Sequence, residues 1–138
     1  MSRDVGGVHQ LWKEACRARK KSYSPYSKFA VGAALETSKG LVFSGCNVEN
    51  ASYGGTVCAE RVAIFKAVSE ARTQIRRIVV VAEGKLSAPV PPCGFCLQVL
   101  AEFSTPETEV WLGSPRKLGK RYALSELLPV SFGKQALR

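Results

Sequence analysis

Long apolar runs are missing from this sequence. Its 138 residues contain no uninterrupted apolar stretch of the roughly 18 residues that a membrane-spanning helix needs. The first residues also lack the apolar segment of a secretory signal peptide. Internal repeats, linkers and low-complexity segments are absent as well. We therefore expect one globular domain over residues 1–138, located in the cytoplasm, with no membrane partner.

Acidic residues are scarce relative to basic ones. The chain has 20 Lys and Arg against 11 Asp and Glu, which gives a formal net charge of +9. Such an excess could mark a polyanion partner such as nucleic acid. The basic residues are scattered, however, and few aromatic residues lie among them for base stacking. A solvated basic surface is the better interpretation, and we expect no nucleic-acid partner.

Histidine is nearly absent, and cysteine occurs in an odd number. The one histidine, His9, lies off the apolar stripe of a predicted N-terminal helix and is interpreted as a surface residue. There are five cysteines, and a reducing compartment favours their use in metal binding or catalysis over disulfides. The cysteines therefore lead to the candidate functional site.

Two short stretches carry the chemistry: Cys58-Ala59-Glu60-Arg61 and Pro92-Cys93-Gly94-Phe95-Cys96. Three thiolates can fill three positions of a tetrahedral zinc and leave the fourth open, as in catalytic zinc sites. The carboxylate of Glu60, two residues from a ligand, could then carry protons for a water bound at the metal. This combination is the known signature of zinc-dependent deaminases.

The spacing within the first stretch predicts a position at the start of a helix. Residues two apart do not share a helix face, so Cys58 and Glu60 can meet one metal only beyond a helix N-terminus. Thr56 is a candidate N-cap for that helix.

The second stretch predicts another helix start. Cys93 and Cys96 are three residues apart and so share a face, and Pro91 and Pro92 suit the first turn of a helix. We therefore expect one metal between two helix N-termini, whose dipoles favour negative charge.

A longer block precedes the first stretch: Asn47-Val48-Glu49-Asn50-Ala51-Ser52-Tyr53-Gly54. With the two cysteine stretches, it resembles the small zinc-dependent cytidine deaminases of nucleoside salvage, over nearly the whole chain. The resemblance implies hydrolytic deamination of cytidine and 2′-deoxycytidine to uridine and 2′-deoxyuridine with release of ammonia. It also implies one zinc per subunit, held by Cys58, Cys93 and Cys96, with Glu60 as the catalytic proton carrier.

The same resemblance assigns substrate contacts. On periodicity alone Phe29 would be a core residue, but the matching phenylalanine of the family packs against the pyrimidine ring. Asn47 and Glu49 could simply cap a loop, whereas the matching residues of the family hold the sugar 3′-hydroxyl. A main-chain group near Ala59 is expected to fix the amide edge of the base.

The family is homotetrameric, with active sites shared between subunits, so the resemblance implies a homotetramer here. Ala51 and Tyr53 match positions that line a neighbouring subunit's pocket. Phe132 matches a residue that lies over another subunit's site. None of these roles follows from the residue pattern alone.

The order of predicted elements gives the fold class. The pattern predicts a helix over Val5–Lys21, strands over Phe29–Leu35 and Leu41–Asn47 joined by a turn at Ser38-Lys39-Gly40, a buried strand over Ile78–Ala82, a helix over Cys93–Phe103, and short strands at Val110–Leu112 and Arg121–Ala123. Helices between strands after an initial hairpin predict a three-layer α/β/α domain with a mixed sheet. The resemblance adds a count of five strands.

The residues beside the expected ligands depart from the family in one place. Family members usually carry an arginine directly after the last cysteine, where this chain has Leu97. Three thiolates give a zinc centre a net negative charge. Cations that donate hydrogen bonds to the sulfur atoms offset this charge. Arg61, together with the helix dipoles, is then expected to carry that role.

Four other interpretations stay open. Cys46 could act as a fourth ligand, which would close the site and make it structural. Blasticidin S deaminases share both cysteine stretches but lack the full Asn47–Tyr53 block. Polynucleotide-editing deaminases usually have histidine as the first ligand, where this chain has Cys58. A zinc-stabilised binding module without chemistry would not need Glu60.

Overall fold

The computed structural model describes residues 2–84 and 88–137. Its helices and strands are α1 (Ser2–Arg19), β1 (Val31–Thr37), β2 (Val42–Cys46), α2 (Ala59–Ser69), β3 (Ile75–Ala82), α3 (Gly94–Glu102), β4 (Glu109–Gly113), β5 (Arg121–Ala123) and α4 (Leu124–Leu127). Short 3-10 turns lie at Tyr53–Gly55 and Lys134–Leu137. Among residues 2–84 and 88–137, no helix combines the length and the apolar character needed to cross a membrane.

The five strands form one mixed sheet in the order β2-β1-β3-β4-β5. β1 is antiparallel to both β2 and β3, β3 is parallel to β4, and β4 is antiparallel to β5. The predicted turn joins β1 to β2, and there Gly40 adopts a φ of +83°, which glycine reaches without steric penalty. The predicted mixed sheet of five strands is confirmed.

Both faces of the sheet are buried, because apolar residues occupy successive positions of the central strands. Leu35 and Val80 pack with α2 and α3 on one face, whereas Ala34 and Val79 pack with α1 on the other. α1 lies very close to β1: a Cβ added at Gly32 would come 2.1 Å from the carbonyl oxygen of Ala15. The predicted three-layer α/β/α architecture is thus confirmed.

The strand directions bring α2 and α3 to the same edge of the sheet. β2 and β3 both run antiparallel to β1, so their C-terminal ends lie at one edge. α2 is the next helix after β2, and α3 is the next helix after β3. The two helices contact each other, and their N-termini open towards that shared edge. The topology therefore joins two segments that are far apart in sequence.

Most predicted boundaries differ from the observed ones by one to three residues, and three of the differences lie near the predicted site. β1 begins at Val31, so Phe29 precedes the strand; Lys28 has a φ of +60°, which interrupts extended backbone. Thr56 is not the N-cap of α2, because Cys58 holds that position with extended backbone. Pro91 and Pro92 lie before α3 instead of in its first turn, since Cys93 is the N-cap there.

Candidate metal centre and active site

Three cysteine sulfurs converge where α2 and α3 begin. The Sγ atoms of Cys58 and Cys93 are 4.0 Å apart, those of Cys93 and Cys96 are 3.4 Å apart, and all three lie within 4.8 Å of one another. A tetrahedral zinc with Zn–S bonds of about 2.3 Å separates its sulfur ligands by about 3.8 Å. The spacing of the three thiols therefore fits a metal of this kind.

The other cysteine weighed as a ligand, Cys46, lies outside this group. Its thiol is directed to the carbonyl oxygen of Lys21, with an S···O distance of 3.4 Å. Among residues 2–84 and 88–137, the group of potential metal ligands contains three cysteines and no fourth protein ligand. One coordination position stays open, as in catalytic sites.

The thiols of Cys58 and Cys96 share a hydrogen bond, which lowers the pKa of Cys58 and raises the pKa of Cys96. Hydrogen bonds from Cys96 and from Arg61 hold the pKa of Cys58 at about 5. The pKa of Cys96 is raised, because its thiol donates to Cys58 and is buried. A thiolate therefore forms more easily at Cys58 than at Cys96, and thiolate is the form that binds metal.

Glu60 lies in the first turn of α2 with only 6% of its surface exposed. Burial raises the pKa of its carboxyl to about 7, and the neighbouring Cys58 thiolate acts in the same direction. A group with a pKa near neutrality is suited both to take up and to release a proton. The structure thus brings a buried carboxyl group beside the three thiols.

Arg61 provides the cation at this centre. Its Nη2 donates to the Sγ of Cys58 over 3.6 Å, and its guanidinium lies 4.5 Å from the centroid of the Phe95 ring. Leu97, which follows the last cysteine, is 6% exposed and packs in the core. Sequence reasoning missed Phe95, although its position between Cys93 and Cys96 was a usable signal.

Asn47 fixes the backbone around Phe29. Its Nδ2 donates to the carbonyl oxygen of Phe29 over 2.8 Å, and its Oδ1 accepts from the N–H of Val31 over 3.0 Å. The same oxygen accepts from the hydroxyl of Ser22. Asn47 is 8% exposed, so these bonds are shielded from water. Its side chain therefore holds the loop that carries Phe29, whatever else it binds.

Glu49 organises the preceding loop in a similar way. Its Oε1 accepts from the backbone N–H groups of Tyr26 and Ser27, at 2.9 and 3.1 Å, and its Oε2 accepts from the Ser27 hydroxyl. The hydrogen bond from that hydroxyl is the main reason that the pKa of Glu49 is lowered. Sequence reasoning missed Ser27, because its partner is distant in the chain.

A small backbone bridge connects the Asn47–Glu49 segment to the thiol cluster. Val48 and Val57 exchange two hydrogen bonds, with N···O distances of 2.9 and 3.0 Å. Val57 directly precedes Cys58. The bridge thus ties the Asn47–Glu49 segment to the residue before Cys58.

The remaining predicted residues differ in their exposure to solvent. Ala51 is exposed, and Tyr53 is 76% exposed with its ring 6.0 Å from that of Tyr26. Ala59 is fully buried at the start of α2. Phe132 is 61% exposed, and its carbonyl oxygen accepts from Gln98 over 2.9 Å.

A large groove lies away from the thiols. It has a volume of about 1120 Å³ and is lined by parts of α3, the start of β4 and the C-terminal segment, including Phe132. None of the three cysteines lines it, and neither does Glu60. The groove is therefore not the place where a substrate would meet the metal centre.

Comparison with known families gives a match over most of the chain. The family model described as the cytidine and deoxycytidylate deaminase zinc-binding region matches residues 7–112. A cytidine deaminase of Halalkalibacterium halodurans is 52% identical over 122 residues, which span 88% of this chain and 91% of that protein. A cytidine deaminase of Sporosarcina psychrophila is 43% identical, over 94% of each chain.

Solved structures give the same result. The crystal structure of cytidine deaminase from Burkholderia pseudomallei is similar with a TM-score of 0.84 and 45% identity, over 90% of this chain and 98% of that one. The cytidine deaminase structure from Mycobacterium tuberculosis has a TM-score of 0.75 and 36% identity, over 91% and 97% of the two chains. The likeness thus covers the three-layer fold, and the family-model match over residues 7–112 spans both cysteine stretches.

Proposed function

Because the chain belongs to the cytidine and deoxycytidylate deaminase family of hydrolases, we propose that it deaminates cytidine and 2′-deoxycytidine. The products are uridine and 2′-deoxyuridine, with release of ammonia. One observation carries the proposal: three thiols and a buried carboxyl group meet at two adjoining helix N-termini. The reaction would serve pyrimidine salvage in the cytoplasm.

The metal that fits is zinc, at one ion per subunit. Cys58, Cys93 and Cys96 would hold it, because three soft sulfur donors at this spacing suit a tetrahedral site with one open position. When bound, the zinc supplies an acidified water as the nucleophile.

Glu60 moves the protons of the reaction. Its carboxylate takes a proton from the attacking water and delivers it to N3 of the base, while the water oxygen bonds to C4. It then carries the proton of the new C4 hydroxyl to the amino group, the C4–N bond breaks as the C4 carbonyl forms, and ammonia leaves. The burial of Glu60 and its position two residues from Cys58 support this double role, since one group must reach both water and ring.

The loops around the centre hold the nucleoside. The ring of Phe29 packs on the base, and main chain near Ala59 binds its amide edge. Asn47 and Glu49 bind the sugar 3′-hydroxyl, which also explains why deoxycytidine would be accepted. The Val48–Val57 bridge supports this assignment, because it ties the Asn47–Glu49 segment to the residue before Cys58.

A homotetramer with shared active sites completes the pocket. The rings of Tyr53 and Phe132 are 76% and 61% exposed, so both are available for contacts with a neighbouring subunit. Ala51 would line the same neighbouring pocket. Each subunit is a single domain over residues 1–138, without a nucleic-acid partner.

The test is the loss of cytidine absorbance on mixing with the purified protein. We expect turnover of cytidine and 2′-deoxycytidine, loss of turnover after chelation, and recovery when zinc is restored. A single-stranded oligonucleotide containing cytosine should not react. Stable zinc loading without any nucleoside turnover would instead favour a binding module.

A further inference from the structure

We propose that Phe95 is a positioning residue, whose ring holds the Arg61 guanidinium against the sulfur of Cys58. The inference rests on the proposed zinc-dependent function. Phe95 is not one of the three zinc ligands, yet it would influence the rate at which zinc dissociates from them.

The contact joins the first turns of the two helices. Arg61 comes from α2 and Phe95 from α3, with the guanidinium carbon 4.5 Å from the ring centroid. This is within the roughly 6 Å over which a ring face attracts a cation. The same guanidinium reaches the Sγ of Cys58 through Nη2. Phe95 and Cys58 therefore hold Arg61 from two sides.

Burial within a single subunit does not explain the presence of Phe95. The side chain is 67% exposed, and it belongs to neither of the two apolar core clusters. A large apolar residue between two metal ligands thus gains little from burial in the subunit. Its ring face is used by Arg61.

Arg61 needs such a support. Its Nε is buried and has no hydrogen-bond partner among the described residues, so no hydrogen bond fixes that end of the guanidinium. The residue after Cys96 supplies no second cation, because it is a leucine. Leu97 is buried and packs in the core. The guanidinium is hydrogen-bonded to the sulfurs of Cys58 and Cys96, so the ring of Phe95 is its support from outside the thiol cluster.

The consequence concerns zinc retention. A cation that donates a hydrogen bond to a thiolate ligand balances the charge of a three-thiolate zinc centre and helps to keep the metal. Losing the cation–ring contact should speed zinc dissociation by about two- to fivefold, which corresponds to the usual strength of an exposed pair.

The experiment measures the rate at which the zinc-loaded, full-length protein gives up its metal to a chromogenic chelator at fixed pH. Phe95→Leu removes the ring but keeps an apolar side chain, and Phe95→Trp keeps a ring face. Both changes are made in the wild-type background and in Arg61→Met. Lys120→Met is the matched control, because it removes one positive charge from the other cation–ring pair, formed with Tyr122 at 4.9 Å.

We expect Phe95→Leu to release zinc faster only when Arg61 is present, Phe95→Trp to release it no faster than wild type, and Lys120→Met to match wild type. Equal acceleration by Phe95→Leu in both backgrounds would mean that Phe95 acts by packing, which overturns the inference. An unchanged rate in a folded, zinc-loaded Phe95→Leu protein overturns it too. Failure of the wild-type protein to bind zinc or to deaminate cytidine would instead reject the proposed function.

Discussion

Cys58 and Cys93 are each the N-cap residue of a helix, and their sulfur atoms lie 4.0 Å apart. Neither side chain caps its own helix by a hydrogen bond, so both sulfurs are directed to the shared space between the helices. The backbone N–H groups of both first turns point to the same place and favour negative charge there. The fold thus prepares a site for thiolates before any metal is bound.

The first prediction concerns metal content and stability. Elemental analysis should find about one zinc per chain, since three thiolates and water complete a tetrahedral shell. A ligand present at about 1,000 times its Kd adds about 4 kcal/mol of stability. Because zinc joins α2 to α3, chelation should lower the Tm by roughly 10 °C, as measured by circular dichroism. Two zinc ions per chain, or a redox metal, would contradict the assignment.

The second prediction separates ligand from non-ligand cysteines. Cys96→Ala removes a buried sulfur of the cluster and should lose zinc, with most of the turnover. Cys46→Ala is the control, because Cys46 is half-buried at the end of β2 and directed to the carbonyl of Lys21. It should keep both zinc and turnover, and loss of zinc from this variant would restore Cys46 as a ligand.

The sequence predicted this part of the molecule well, for a physical reason. Cys58 and Glu60 are close in sequence, and so are Cys93 and Cys96, so each pair can be interpreted at the start of one helix. The apolar run in β3 marks a strand buried on both faces. The start of α2 was predicted less well. Thr56 has good N-cap chemistry, but its Oγ1 accepts from the N–H of Asn50 instead, in a loop that tertiary contacts define.

The third prediction concerns the proposed proton carrier. Glu60→Gln keeps the shape of the buried side chain, so the variant should fold and bind zinc as wild type does. It should lose about 10² to 10⁴ in kcat, the usual contribution of a general acid–base group. Steady-state kinetics with cytidine, alongside zinc analysis, makes the comparison. Near wild-type turnover would show that another group moves the protons.

The fourth prediction tests the structural role of Asn47. Asn47→Ala removes the partner of the Phe29 carbonyl and of the Val31 N–H, which lie in a shielded environment. Leaving such groups unsatisfied costs about 1–3 kcal/mol, and urea unfolding of the zinc-loaded protein should report this loss. Ser38→Ala is a suitable control, because Ser38 is exposed and its hydroxyl bonds only the side chain of Gln74 in a distant turn. Equal stability of the two variants would contradict the role of Asn47.

The bonds of Asn47 also mark a limit of sequence reasoning. Loop capping and sugar binding were alternatives in the sequence, whereas in the structure the side chain already caps the loop with two backbone bonds. Such bonds join residues 16 and 18 positions apart, so no local pattern announces them. The position of Phe95 between two cysteines draws attention to it, but its partner Arg61 cannot be read from the sequence, because the contact depends on how two helices pack.

The last prediction concerns the pH dependence of nucleoside binding through Ser27 and Glu49. The Ser27 hydroxyl stabilises the ionised form of Glu49, so the pKa of Glu49 lies below its ordinary value. Ser27→Ala should raise that pKa, because the charged form loses a hydrogen bond. The carboxylate then becomes protonated at a higher pH than in wild type. If Glu49 binds the sugar 3′-hydroxyl, the KM for cytidine rises as the pH is lowered and Glu49 becomes protonated. In the variant this rise should begin at a higher pH than in wild type, with little change in kcat at neutral pH.

Two comparisons make this prediction specific. Ser24→Ala changes a serine of the same loop whose hydroxyl pairs with that of Ser22, whereas the hydroxyl of Ser27 donates to Glu49, so the KM profile of Ser24→Ala should follow wild type. With 3′-deoxycytidine as substrate, Ser27→Ala and wild type should differ little, because the hydroxyl that Glu49 would recognise is missing. A shift of equal size for both substrates would assign the effect to the loop and not to recognition of the sugar. An identical KM profile for cytidine in Ser27→Ala and wild type would remove Glu49 from the substrate-binding residues, since its carboxylate is the group that the mutation perturbs.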